Sequence, residues 1–264
     1  MTGERRNERW RLLSVPPRDG AENMARDVAL MNRARETGEI VFSVYGWRQK
    51  TLSLGRNQRA KGCYDLDRMR EMGVDVVRRP TGGRALLHHR EVTYSVTAPV
   101  SQGDSLRDSY ERINRILLSG LRQLGVQASV ADPEGPAALP TDTPCFAAPV
   151  RGELVSDGRK LVGSAQWRDA GSMLQHGSIL IDNDQSLIEL FSIDSDEREP
   201  VPTPATLRAA LGRAPEISEV SNALFDAVRS LEDANAGALD ESETRSVTLA
   251  ELPRFQNELW TWRR

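Results

Sequence analysis

Two cysteines in 264 residues, Cys63 and Cys145, are too few for a disulfide framework and have no CxxC spacing. A disulfide-stapled scaffold and a zinc site built on cysteines are therefore not expected. Long apolar runs are missing as well, and none approaches the length needed to cross a bilayer. The start, Met1-Thr2-Gly3-Glu4-Arg5-Arg6, has no apolar segment behind it and does not read as a secretory signal. There is no surplus of positive charge: the formal net charge is −3 and the pI about 5.8, which gives no general attraction to nucleic acid. Aromatic residues make up only 5% of the chain, yet an apolar share of 39% suits a soluble globular protein. What remains is the expectation of a cytoplasmic enzyme with neither a nucleic-acid nor a membrane partner.

No linker, internal repeat or low-complexity tract divides the chain, so one domain is expected over residues 1–264, with a core over about 20–185 and a helical C-terminal part over about 186–264. A short strand over 10–15 precedes a helix over 21–36, where Met24, Val28 and Met31 form a buried stripe and Gly38 supplies a left-handed stop. Segments 40–45 and 51–54 read as strands paired across Gln49-Lys50. A helix over 66–72, stopped by Gly73, feeds a strand over 74–78. Segments 85–87 and 92–98 read as two strands joined by His88-His89-Arg90. Asp104-Ser105 caps a helix to about 124, with Leu106, Tyr110, Ile113, Leu117, Leu121 and Leu124 on one face. A strand over 126–130 and a Pro-, Asp- and Ala-rich loop follow, and the loop delivers Cys145. Asp157-Gly158 predicts a hairpin between 153–155 and 160–168, and a strand over 173–181 comes next. Helices are expected over 185–191, 204–211 and 217–231. Leu252, Phe255, Leu259 and Trp262 give 249–262 the spacing of a last amphipathic helix.

Two places carry chemistry. At Arg78-Arg79-Pro80-Thr81-Gly82-Gly83-Arg84, guanidiniums flank a turn whose glycines let a ligand lie against backbone N–H groups, an arrangement suited to an anion and a carbonyl. Pro144-Cys145-Phe146 ends a long loop, not an apolar run, and a thiolate there would be stabilised by a nearby ammonium. Antiparallel pairing across the Asp157-Gly158 turn can bring Lys160 to it. Cys63 has no such setting and is assigned to packing, and His89 is read as structural or exposed.

The stretch from Arg78 to His88 closely resembles the signature of the lipoate and biotin protein ligase superfamily, and within it the cysteine-dependent octanoyltransferases of lipoate biosynthesis. The resemblance extends to Asn23-Met24-Ala25-Arg26-Asp27, Tyr45-Gly46-Trp47, Leu52-Ser53-Leu54-Gly55, Gly158-Arg159-Lys160-Leu161-Val162-Gly163-Ser164-Ala165-Gln166 and Leu174-Gln175-His176-Gly177-Ser178-Ile179-Leu180. It implies an α/β (α+β) fold of the class II synthetase and biotin-lipoate ligase type, a mixed, largely antiparallel sheet with flanking helices. It implies that Cys145 carries an acyl thioester and Lys160 depresses its pKa. Arg79, Gly82, Gly83, Arg84, His88, Gly163, Ser164, Ala165, Gln166, His176 and Gly177 then line the substrate pocket. The donor implied is octanoyl-acyl carrier protein, and the acceptor a lysine of a lipoyl domain such as glycine cleavage H protein or a 2-oxoacid dehydrogenase E2. A thioester donor already stores the free energy of the amide, so no nucleotide, metal or other cofactor is expected. The alternatives are an ATP-dependent lipoate-protein ligase, an amidotransferase between lipoyl domains, and a non-enzymatic acyl-binding module.

Overall fold

The computed structural model describes residues 8–100, 103, 105–131, 146, 152–193 and 202–264. In chain order the elements are β1 (Trp10–Ser14), α1 (Gly20–Thr37), β2 (Ile40–Tyr45), β3 (Thr51–Leu54), α2 (Leu66–Glu71), β4 (Asp75–Arg78), β5 (Leu86–His88), β6 (Glu91–Pro99) and α3 (Leu106–Gln123). There follow β7 (Ser129–Val130), β8 (Leu154–Ser156), β9 (Arg159–Asp169), β10 (Ser172–Leu180), a 3₁₀ turn (Gln185–Phe191), α4 (Leu207–Leu211), α5 (Ile217–Leu231), β11 (Gly237–Ala238), α6 (Ser242–Phe255) and α7 (Glu258–Thr261). No helix among the described residues is long and apolar enough to cross a membrane.

Eight strands form one sheet in the order β11-β1-β2-β6-β10-β9-β8-β7. It is parallel across β11, β1 and β2 and antiparallel at every other pairing, the mixed, largely antiparallel sheet expected. Its central strands are buried on both faces because both are covered; alternation divides the apolar side chains of β2 between two cores, whereas β6 turns Val92, Tyr94 and Val96 to the first core and Thr93, Ser95 and Thr97 to the opposite face. Leu12, Phe42 and Val44 pack with Ile113, Leu117 and Leu224 of α3 and α5. Leu13, Val41 and Tyr45 pack with Met24 and Val28 of α1 and Phe255 of α6. Local signals set several boundaries: Gly38 ends α1 at φ 75°, and the Ser105 hydroxyl accepts from the Asp108 N–H at 2.9 Å to cap α3. Asp157 and Gly158, at φ 50° and 70°, turn β8 into β9.

The second sheet, β4-β3-β5, was not expected. β3 does not pair with β2, because both edges of β2 are taken by β1 and β6; it pairs with β4 and β5 instead. For the same reason β5 and β6 do not form a hairpin, since β2 and β10 flank β6. The short link after His88 crosses between sheets. The strand expected over 126–130 shrinks to Ser129–Val130, and Leu106 is 53% exposed in the first turn of α3. The expected last helix is two helices: α6 ends at Phe255, and Asn257 caps α7 by accepting from the Leu259 N–H at 2.8 Å. Leu259 therefore points to solvent, 82% exposed, while Phe255 is buried.

Candidate active site

A narrow, largely apolar cavity opens where the two sheets meet, walled by Met24 and Trp47, by Arg79, Gly83, Leu86 and His88, and by Gly163, Ser164, Ala165, His176 and Gly177. These residues come from α1, the segment after β2, the turn after β4, and strands β5, β9 and β10. Antiparallel register between β9 and β10 sets Ser164 opposite Gly177 and Ala165 opposite His176.

The turn is built by its arginines and not left open by them. Arg79 donates from Nη1 to the Ser53 carbonyl at 3.0 Å, and from Nη2 to the carbonyls of Gly82 at 2.9 Å and Arg84 at 2.7 Å. Arg78, fully buried, donates to the carbonyls of Thr261 at 2.7 Å, Gly55 at 2.6 Å and Gln58 at 2.8 Å. The sequence expectation of guanidiniums presented to an anion thus changes at these two positions: their donors hold carbonyls. Gly83 sits at φ 96°, and a Cβ there would lie 2.7 Å from Arg79 Nη2, so this clamp requires glycine. Gly82 is exposed and Arg84 half-buried at the outer side of the turn.

Each cavity histidine is oriented by a buried carboxylate. His88 stacks on Trp47 with centroids 3.9 Å apart, and lies 3.2 Å from Glu91 through Nδ1 and 2.9 Å from the Ser53 hydroxyl through Nε2. Burial holds the His88 pKa below the usual 6.5, against the opposing pull of Glu91, so the neutral ring donates from Nδ1 and accepts at Nε2. Glu91 also accepts from Thr93 at 2.7 Å, and from Ser178. His176 lies 2.8 Å from Asp27 through Nδ1 and 2.7 Å from the Thr81 hydroxyl through Nε2, which ties α1, β10 and the turn together. The Ser164 hydroxyl is 2.7 Å from the Tyr94 hydroxyl, whose pKa burial pushes up to about 12. Gln166 faces the α3 side beside Tyr110 and Asn114 and donates to Gln175 at 3.3 Å.

Cys145 lies outside the described residues, but Phe146, which follows it, does not. Phe146 is 2% exposed and packs against Leu86 of the cavity wall and Leu180. The Lys160 ammonium is 5.1 Å from the centroid of the Phe146 ring. Lys160 is 3% exposed, opposite Val155 across the hairpin, and donates from Nζ to Glu153 at 2.7 Å. It does not line the cavity itself; it stands three positions before Gly163 on β9. Sequence reading gave no role to Asp27, Trp47, Ser53, Glu91 or Glu153. Asp27, Trp47 and Ser53 lie in stretches noted for their resemblance and Glu153 in a predicted strand. Nothing local marks Asp27, whose partner His176 is 149 residues away, whereas Glu91 stands three residues after His88, a spacing that could have suggested the pair.

Residues 19–229 match the lipoyl protein ligase A/B catalytic domain, and the chain belongs to that family. Among its relatives are proteins named Octanoyltransferase LipM. The one from Kyrpidia tusciae is 44% identical over 71% of this chain and 72% of its own length. The one from Carboxydothermus hydrogenoformans is 36% identical over 93% of this chain and 82% of its own. The fold is also that of a bi-partite lipoate protein ligase from Thermoplasma acidophilum, at TM-score 0.75 and 21% identity, over 97% of each chain.

Proposed function

We propose that the protein is an acyltransferase that moves an octanoyl group from acyl carrier protein to the lysine ε-amine of a lipoyl domain through a thioester on Cys145. The observation that carries this reading is the buried Lys160–Glu153 pair with the Phe146 ring 5.1 Å from the ammonium, since Cys145 immediately precedes Phe146 in the chain. An ammonium beside a thiol stabilises the thiolate by opposing charge. Phe146 packs on Leu86, which links this pair to the cavity that would hold the acyl chain. The names of the relatives support octanoyl as the group transferred.

The Cys145 thiolate attacks the donor thioester carbonyl, a tetrahedral oxyanion forms and collapses, and the carrier's thiolate leaves. The neutral ε-amine of the acceptor then attacks the enzyme thioester, its proton passes through solvent to the released carrier thiolate, and Cys145 leaves as thiolate with the amide complete. Backbone N–H groups of β9 are suited to the oxyanion. β8 pairs with β9 only as far as Val162, so among the described residues β9 has no strand on that side from Gly163 onward. Donors placed where charge develops lower the barrier. Arg79 and Arg84 serve the site by shaping the Gly82-Gly83 turn, His88 and His176 by fixing the cavity walls, and Gln166 through Gln175. The acceptors in this reading are glycine cleavage H protein or a 2-oxoacid dehydrogenase E2, in the cytoplasm.

No step activates a carboxylate, so transfer from octanoyl-acyl carrier protein to an apo lipoyl domain is expected to run at full rate with ATP and Mg²⁺ omitted. A strict requirement for ATP assigns the chain to ligation instead.

A further inference from the structure

Beside the cavity the chain gathers positive charge, with Glu251 and Asp169 near Arg254 but no ion pair formed among the described residues. Arg56, Arg59, Lys61, Arg254 and Arg263 have no ion-pair partner among the described residues, whereas Arg11, Arg33 and Arg112 elsewhere sit in carboxylate networks. The geometry is built. The Arg56 guanidinium lies 4.9 Å from the ring of Trp167, and Trp260 carries two, Arg254 at 4.1 Å and Arg263 at 4.0 Å. Arg263 donates from its guanidinium to the Arg56 carbonyl, and the Arg264 carbonyl accepts from the backbone of Ala60 at 3.0 Å and Lys61 at 2.9 Å, which fastens the tail to the loop after β3.

This ledge adjoins the cavity mouth. The Arg56 N–H donates to the Thr81 carbonyl at 2.7 Å, the Trp260 indole to the Arg78 carbonyl at 2.8 Å, and Trp167 follows Ser164 by three positions on β9. A guanidinium stacked on an indole keeps the edge of its planar fork for carboxylates. Like charges held together are unfavourable in the free protein and relieved when an acidic surface arrives. Burial and the neighbouring arginines both hold the Arg263 pKa below its usual value.

We propose that this ledge is the docking surface for an acidic face of the lysine-bearing acceptor domain, a reading that rests on the acyl transfer above. Reach selects the acceptor over the donor. A lysine has only a four-carbon stem, so its domain must rest against the mouth, while an acyl group on a carrier's long thioester arm can be delivered from further away.

The test compares the full chain with its Arg59→Glu, Arg263→Glu double variant, each first loaded from octanoyl-coenzyme A. The KM for an apo lipoyl domain should rise about tenfold with kcat retained, and the salt dependence of kcat/KM should flatten. Discharge to a small free amine should not change. An unchanged KM and salt slope overturns the proposal. So does a defect confined to loading from acyl carrier protein, which would give the ledge to the donor. If the unaltered chain takes no acyl group at all, the acyl-transfer reading fails first and this one with it. Should the double variant not fold, Arg59→Gln with Lys61→Gln, both exposed positions, carries the same test with a smaller expected rise.

Discussion

Burial fixes the charge of His88, and through it part of the cavity wall. The ring is stacked on Trp47 and bonded to Glu91 and Ser53, and its pKa is lowered from 6.5, first by desolvation. A histidine held neutral in the fold binds fewer protons than in the unfolded chain at pH values between the lowered value and 6.5. Its contribution to stability is therefore complete above 6.5 and lost as the pH falls from 6.5 toward the folded value. Thermal unfolding at about pH 7.5 and about pH 5.5 should show a larger drop in Tm for the native chain than for His88→Gln, which has no proton to take up. Equal drops would mean that the fold leaves the His88 pKa at its unfolded value. Lys160 poses the complementary case, a buried ammonium that keeps its carboxylate partner Glu153 at 2.7 Å. Such a pair is costly to bury and costly to break.

At the level of elements, close approach at Gly177 holds β10 against β9 and β6. A Cβ on Gly177 would lie 2.5 Å from the Gly163 carbonyl oxygen, 2.7 Å from the Tyr94 ring and 2.9 Å from the Ser164 hydroxyl. Gly177→Ala should cost about 2 kcal/mol in urea unfolding, the usual scale of overpacking, because a ladder carbonyl cannot move aside. A neutral result would show that the two strands separate freely. Much of this layer was legible in sequence: Gly38, Ser105 and Asp157-Gly158 act through neighbours, so their effects are local. Partner choice was not. Alternation marks β3 and β5 as strands, but only the occupied edges of β2 and β6 send them to a second sheet. The arginines of the turn were found, but their carbonyl partners are only partly local: Gly82 and Arg84 lie within five residues of Arg79, whereas Ser53 is 26 residues from Arg79 and Thr261 183 residues from Arg78.

Across the whole molecule, a covered sheet supplies rigidity, and the junction of two sheets supplies a cavity. Remote segments meet there: Asp27 from α1 orients His176 on β10, and Trp260 from the last helix holds Arg78 at the head of the turn. Fold and pocket positions were predictable from the stretches around Gly82-Gly83, Gly163-Ser164-Ala165 and His176-Gly177, all of which reach the cavity or its rim. Asp27, 149 residues from His176, and the ledge around Trp260 depend on contacts between distant parts of the chain, whereas Glu91 is three residues from His88. The central claim is a covalent acyl-enzyme on Cys145, and intact-mass measurement of the full chain after incubation with octanoyl-acyl carrier protein alone tests it most directly. The account predicts one added octanoyl group, located on Cys145 and released by hydroxylamine. An unmodified mass under those conditions, while amide transfer to a lipoyl domain still proceeds, would contradict it.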